Sequence, residues 1–66
     1  MNDKITRYFF YDRANKIIYY SENPTLEFTE YEYLGTSDNP KPKMAAVVFA
    51  ERIELGQGIR VKNHDK

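Results

Sequence analysis

The chain has 66 residues, with ten acidic and ten basic side chains, a net charge of zero and no cysteine. Its length confines it to a single domain, 1–66; the missing cysteines exclude disulfides and thiolate metal sites; and the balanced charge argues against a dedicated nucleic-acid protein, which carries a clear positive excess. A domain this small buries only about 60% of the surface its unfolded chain exposes, so association with a further chain is the one common stabiliser left open.

The stretch 7–22, RYFFYDRANKIIYYSE, holds six aromatic rings and two isoleucines. Aromatic and β-branched residues suit a pleated surface, and the DRAN between the two runs suits a turn. The expected element is a β-hairpin with the three-residue loop Arg13-Ala14-Asn15, Asn15 being left-handed. In that register one face carries Tyr8, Phe10, Ile18 and Tyr20, and the other carries Phe9, Tyr11, Ile17 and Tyr19. The two faces are equally apolar, unlike a half-exposed antiparallel strand, so the hairpin needs cover on both sides.

Residues 23–35, NPTLEFTEYEYLG, read as a third strand entered through the Asn23-Pro24 turn. Tyr31 and Tyr33 are then expected inward and Glu30 and Glu32 outward, with a bulge near Thr29 bringing Leu26 and Phe28 into phase. The alternative is a helix from Asn23-Pro24 to Gly35. TSDNPKPK breaks the pattern. Asn39 suits an N-cap and Pro40 the first helical position, so a helix is expected over 42–55 with Val48, Phe49 and Ile53 on the sheet and Gly56 as its stop. Residues 57–66 then form a flexible tail, in which Ile59 and Val61 could add a short edge strand. The expected fold is α+β, a three-stranded antiparallel meander with one C-terminal helix. The alternative is a small five-stranded β-barrel in which ERIEL and IRV pair across GQG.

No catalytic constellation stands out. The only histidine, His64, falls in the expected tail with Asp65 as its sole neighbour of ligand type, so neither a catalytic base nor a metal site is expected, and no cofactor is implied. GQG is no phosphate loop, because no Lys-Ser/Thr pair follows it. The charges are unevenly spread: residues 21–40 hold five acids and no base, a run that reads as solvated surface. The opening MNDKITRYFF lacks the apolar core of a signal peptide. The longest apolar run, MAAVVFA over 44–50, is far short of the roughly 20 residues of a membrane helix. A soluble cytoplasmic protein is expected.

One helix can cover only one face of a three-stranded sheet. An uncovered hairpin face would present on the order of 500–800 Å² of mostly apolar surface, above the ~300–600 Å² of a typical largest monomer patch. The expected function is therefore a small non-enzymatic protein-interaction module, a homodimer or a subunit docking on another protein. Its expected contacts are Tyr8, Phe10, Tyr11, Tyr19 and Tyr20, with Arg7 and Arg13 at the rim. The alternative is nucleic-acid binding, with bases stacked on the same rings and phosphates met by Arg7 and Arg13. In size, lack of an active-site pattern and aromatic density, the chain resembles accessory proteins of phages and mobile elements, which would imply action on a host factor. No motif carries that likeness.

Overall fold

A computed structural model describes residues 5–23, 31–56 and 58–65. Its elements, in chain order, are β1 (Arg7–Asp12), β2 (Ile17–Ser21), β3 (Glu32–Ser37), α1 (Pro42–Arg52) and β4 (Arg60–Asn63). The four strands form one open sheet in the order β3-β1-β2-β4. β1 is antiparallel to both its neighbours, whereas β4 runs parallel to β2. The fold is α+β, but the sheet is neither the expected meander nor a closed barrel. A meander would set β3 beside β2 through a short turn. The connection from Ser21 to Glu32 is far longer than a hairpin loop, and β3 pairs with the edge of β1 that faces away from β2.

The hairpin forms, with its register one residue away from the expected one. Asp12 pairs with Ile17, Tyr11 with Ile18, Phe10 with Tyr19, Phe9 with Tyr20 and Tyr8 with Ser21. The loop is Arg13 to Lys16, and Lys16, not Asn15, is left-handed, at φ 56°. Asp12 sets this choice. Its carboxylate accepts the Asn15 backbone N–H at 3.2 Å and the Asn15 side-chain amide at 2.8 Å, which holds Asn15 inside the turn. The slip exchanges the β2 side chains between faces. Phe9, Tyr11, Ile18 and Tyr20 now share the helix side, and Tyr8, Phe10, Ile17 and Tyr19 the other.

β3 runs beyond Gly35, so that glycine is not a stop. Phe9 lies opposite Gly35 and Phe10 opposite Tyr33, which leaves Leu34 as the extra residue of a bulge. Gly35 has φ 135°, and a β-carbon there would meet Phe49 Cε1 at 3.2 Å. Only glycine lets the ring lie against the strand. The expected bulge near Thr29, and the inward Leu26 and Phe28, lie outside the described residues.

The helix begins at the expected residue 42, but the Asn39-Pro40 pair does not open it. Lys41 is the N-cap, at φ −109° and ψ 95°, and Pro42 opens the helix. A residue before proline is held out of the α region, so Pro42 forbids a helical Lys41 and with it any earlier start. Asn39 serves the turn instead, its Oδ1 accepting the Lys41 N–H at 2.9 Å. The end comes early, at Arg52 and not at 55. Ile53 is the C-cap and Glu54 turns left-handed at φ 57°. The Leu55 N–H donates to the Ala50 carbonyl at 2.9 Å and the Glu54 N–H to the Glu51 carbonyl at 3.1 Å, the paired bonds of a Schellman ending.

The core lies between the sheet and α1. Phe9, Tyr11, Ile18, Ala45, Ala46 and Phe49 are buried there, with Leu34, Ile53, Leu55, Ile59 and Val61 packed around them. Phe49 meets Phe9 at a ring-centroid distance of 5.1 Å. Instead of a tail, the C-terminal stretch supplies β4, the short edge strand that Ile59 and Val61 allow. Asp65 latches its end: its carboxylate accepts the buried Ser21 hydroxyl at 2.6 Å and the Glu22 N–H at 3.0 Å.

Candidate functional site

Both faces of the hairpin are largely covered. On the helix side Phe9 and Ile18 are fully buried, and Tyr11 is 5% exposed. On the other side Phe10 and Ile17 are only 8% and 6% exposed, and Asp12 and Ser21 are buried beside them. Tyr33 lies over Phe10 with ring centroids 5.3 Å apart, and Tyr31 stacks on Tyr19 at 5.2 Å. His64 meets the Tyr19 ring edge-on at 5.7 Å. Of the residues expected to bind a partner, Phe10 and Tyr11 are therefore core, and Tyr8, Tyr19 and Tyr20 are half-buried. Tyr33, expected to point inward, is more than half exposed, because it lies outside Phe10 on the edge strand β3.

The two arginines are engaged within the chain. Arg13 Nη2 donates to Glu32 Oε1 at 2.6 Å, and its guanidinium lies 6.0 Å from the Tyr11 ring centroid. Arg7 Nη1 donates to the Asn39 carbonyl at 3.2 Å, and Nη2 stands 3.9 Å from Glu22. Two of the acids in the 21–40 run thus answer the two arginines once placed at the rim. Glu32 is exposed, as expected, while Glu27 and Glu30 lie outside the described residues.

Apart from Ile5 and Tyr33, the exposed large apolar side chains among the described residues are on α1. Ala45, Ala46 and Phe49 face the sheet, whereas Met44, Val47 and Val48 are 56%, 57% and 46% exposed. Their i, i+3, i+4 spacing gathers these three on one stripe. Val48, expected against the sheet, belongs to this outer stripe. Beside it runs an open, mostly apolar groove of about 430 Å³ between the helix and β4, lined by Ala46, Val47, Ala50, Leu55, Ile59 and Val61, with Glu51, Gly56 and Gly58 also in its wall. The signal for this surface was in the run MAAVVFA. A helix apolar on all sides demands cover on all sides, and one sheet gives it one.

Among the described residues no group of His, Cys, Asp or Glu is placed to hold a metal ion, and no helix is long and apolar enough to cross a membrane. The Asp65 carboxyl is held below the ordinary aspartate range, first by the Ser21 hydroxyl and then by the Glu22 amide, with a smaller contribution from His64. That shift belongs to a structural latch. No protein-family model, curated protein or solved structure matches the chain.

Proposed function

We propose that this chain is a small protein-interaction module whose docking surface is the outer stripe of α1 and the groove beside it. The observation that carries the reading is the exposure of Met44, Val47 and Val48 on a helix whose opposite side is already packed. Contiguous apolar surface of this kind is what a partner protein removes from water. The pairing of Arg7 with Glu22 and of Arg13 with Glu32 weighs against the nucleic-acid reading, since both cations would have to exchange carboxylates for phosphates. The hairpin rings serve this reading as the rigid support behind the helix, and the occupant is another polypeptide.

A photo-crosslinking side chain placed at Val47 tests this in the producing cell, with one at Thr36, an exposed position on β3, as the control. Adducts to a second polypeptide from position 47 and not from position 36 are expected; an adduct of doubled mass would identify the homodimer. No adduct from either position, or equal adducts from both, contradicts the reading.

A further inference from the structure

β4 is an edge strand, and its free edge opens on the groove. The Arg60 N–H bonds the Lys16 carbonyl and the His64 N–H the Tyr20 carbonyl. In a parallel ladder alternate residues bond the same neighbour, so residues 60, 62 and 64 turn their backbone groups to β2. Ile59, Val61 and Asn63 turn theirs away from the sheet, where no described strand meets them. The side chains divide just as cleanly. Val61 pairs with Ile18 on the helix side and lines the groove. Arg60 and Lys62 pair with Ile17 and Tyr19 on the opposite side, are exposed, and form no ion pair among the described residues.

We infer that β4 is a docking edge for an extended segment of a partner protein in which apolar and acidic residues alternate. Such a segment would add as a fifth strand. Its backbone would bond the outward N–H and C=O groups of Ile59, Val61 and Asn63. Residues directly opposite in a sheet share a face, so its apolar side chains would fall into the groove against Val61, Ala50 and Leu55. Its intervening acidic side chains would fall beside Arg60 and Lys62. Exposed strand edges are usually blunted by charge, and two cations at this one select the sign of what can add.

The same charges decide against a second copy of β4. In antiparallel self-pairing, the three face-aligned registers centred on residue 60, 61 or 62 set Arg60 or Lys62 opposite Arg60 or Lys62. Like charges directly opposite are destabilising. The inference rests on the interaction-module reading and narrows it to one edge and one partner chemistry.

The test uses the whole chain and two synthetic probes, extended peptides of about six residues alternating valine with glutamate or valine with lysine, matched to the length of β4 at roughly 3.3 Å per residue. Amide hydrogen exchange is followed residue by residue. The acidic probe is expected to slow exchange at Ile59, Val61 and Asn63 and to leave β3 unchanged, and to bind about tenfold more tightly than the basic probe. The double variant Arg60→Glu with Lys62→Glu alters two exposed side chains and keeps the fold. It should reverse the preference toward the lysine probe. Equal binding of both probes, or an unreversed preference in the variant, overturns the charge selection. Protection confined to Met44, Val47 and Val48 overturns the edge while leaving the helix as a docking surface. No protection by either probe overturns the inference, and the crosslinks from position 47 then decide the broader reading by themselves.

Discussion

The hairpin and the helix are the two most apolar regions of the chain, and the fold treats them in opposite ways. The hairpin carries rings on both faces, lies at the centre of the sheet and has both faces covered. The helix carries apolar side chains on both sides, lies at the outside of its layer and has one side covered. A central strand pair can be covered from two directions and is paired on both edges. A helix packed on one face of a sheet has cover from one direction only. Most of the apolar surface left over therefore lies on the helix, with Tyr33 on the edge strand β3 also exposed, although the density of rings in β1 and β2 draws attention to the hairpin.

The largest expected effect separates the two sides of the helix. Phe49→Ala removes a buried ring between Phe9 and Gly35 and should cost about 3–5 kcal/mol, enough to unfold a domain of ordinary marginal stability. Denaturant titration measures it. A cost below about 1 kcal/mol would mean that the inner face of α1 is no better packed than the outer.

Gly35→Ala follows in size. The added methyl meets the Phe49 ring at 3.2 Å, and the backbone there is at φ 135°. A loss of about 1–3 kcal/mol is expected in the same titration. Stability equal to that of the parent would show that the bulge does not set the approach of the helix.

Next comes the latch that closes the β4 end of the hairpin. The carboxyl of Asp65 titrates lower in the folded protein than in the unfolded one. The stability it contributes is present above the ordinary carboxylate range and is lost as the pH falls below about 4, toward and through the lowered folded value. Asp65→Ala should leave the buried Ser21 hydroxyl without this acceptor and cost about 1 kcal/mol at neutral pH. It should also speed exchange at the His64 amide, which bonds the Tyr20 carbonyl. Unchanged exchange at His64 would show that β4 holds its place without the latch.

The smallest effect belongs to the outer stripe. Val48→Ser should change stability by no more than about 0.5 kcal/mol, as at ordinary surface sites. A loss several times larger would mean that Val48 is core, as its spacing from Phe49 and Ile53 suggests.

Local chemistry in the sequence was enough for the hairpin, a strand ending beyond Tyr33, the helix and the option of an edge strand at Ile59 and Val61. What it did not reveal was decided by contacts distant in sequence or by competing local signals. Asp12 holding Asn15 shifted the loop by one residue and exchanged the faces of β2. Lys41 and Pro42 took the cap and first-residue places expected of Asn39 and Pro40, a choice visible in PKPK once the restriction before proline is applied to each proline in turn. Gly35 could serve as a stop in the alternative helix because nothing local announces that Phe49, fourteen residues on, lies against its α-carbon. The place of β3 beside β1 is not written in any local pattern, and neither is the parallel pairing of β4 with β2. The candidate surface was misplaced for a related reason: counting rings locates apolar area, whereas exposure depends on which element ends up outermost.

Accessibility of the methyl groups to a paramagnetic solute in water tests the account most directly, because it reads both regions in one sample. Relaxation of the methyls of Met44, Val47 and Val48 should be strongly enhanced, while those of Ile17 and Ile18, one on each face of the hairpin, should be barely affected. Enhancement at Ile17 matching that at Val47 would contradict the account, since a face of the hairpin would then be as bare as the helix.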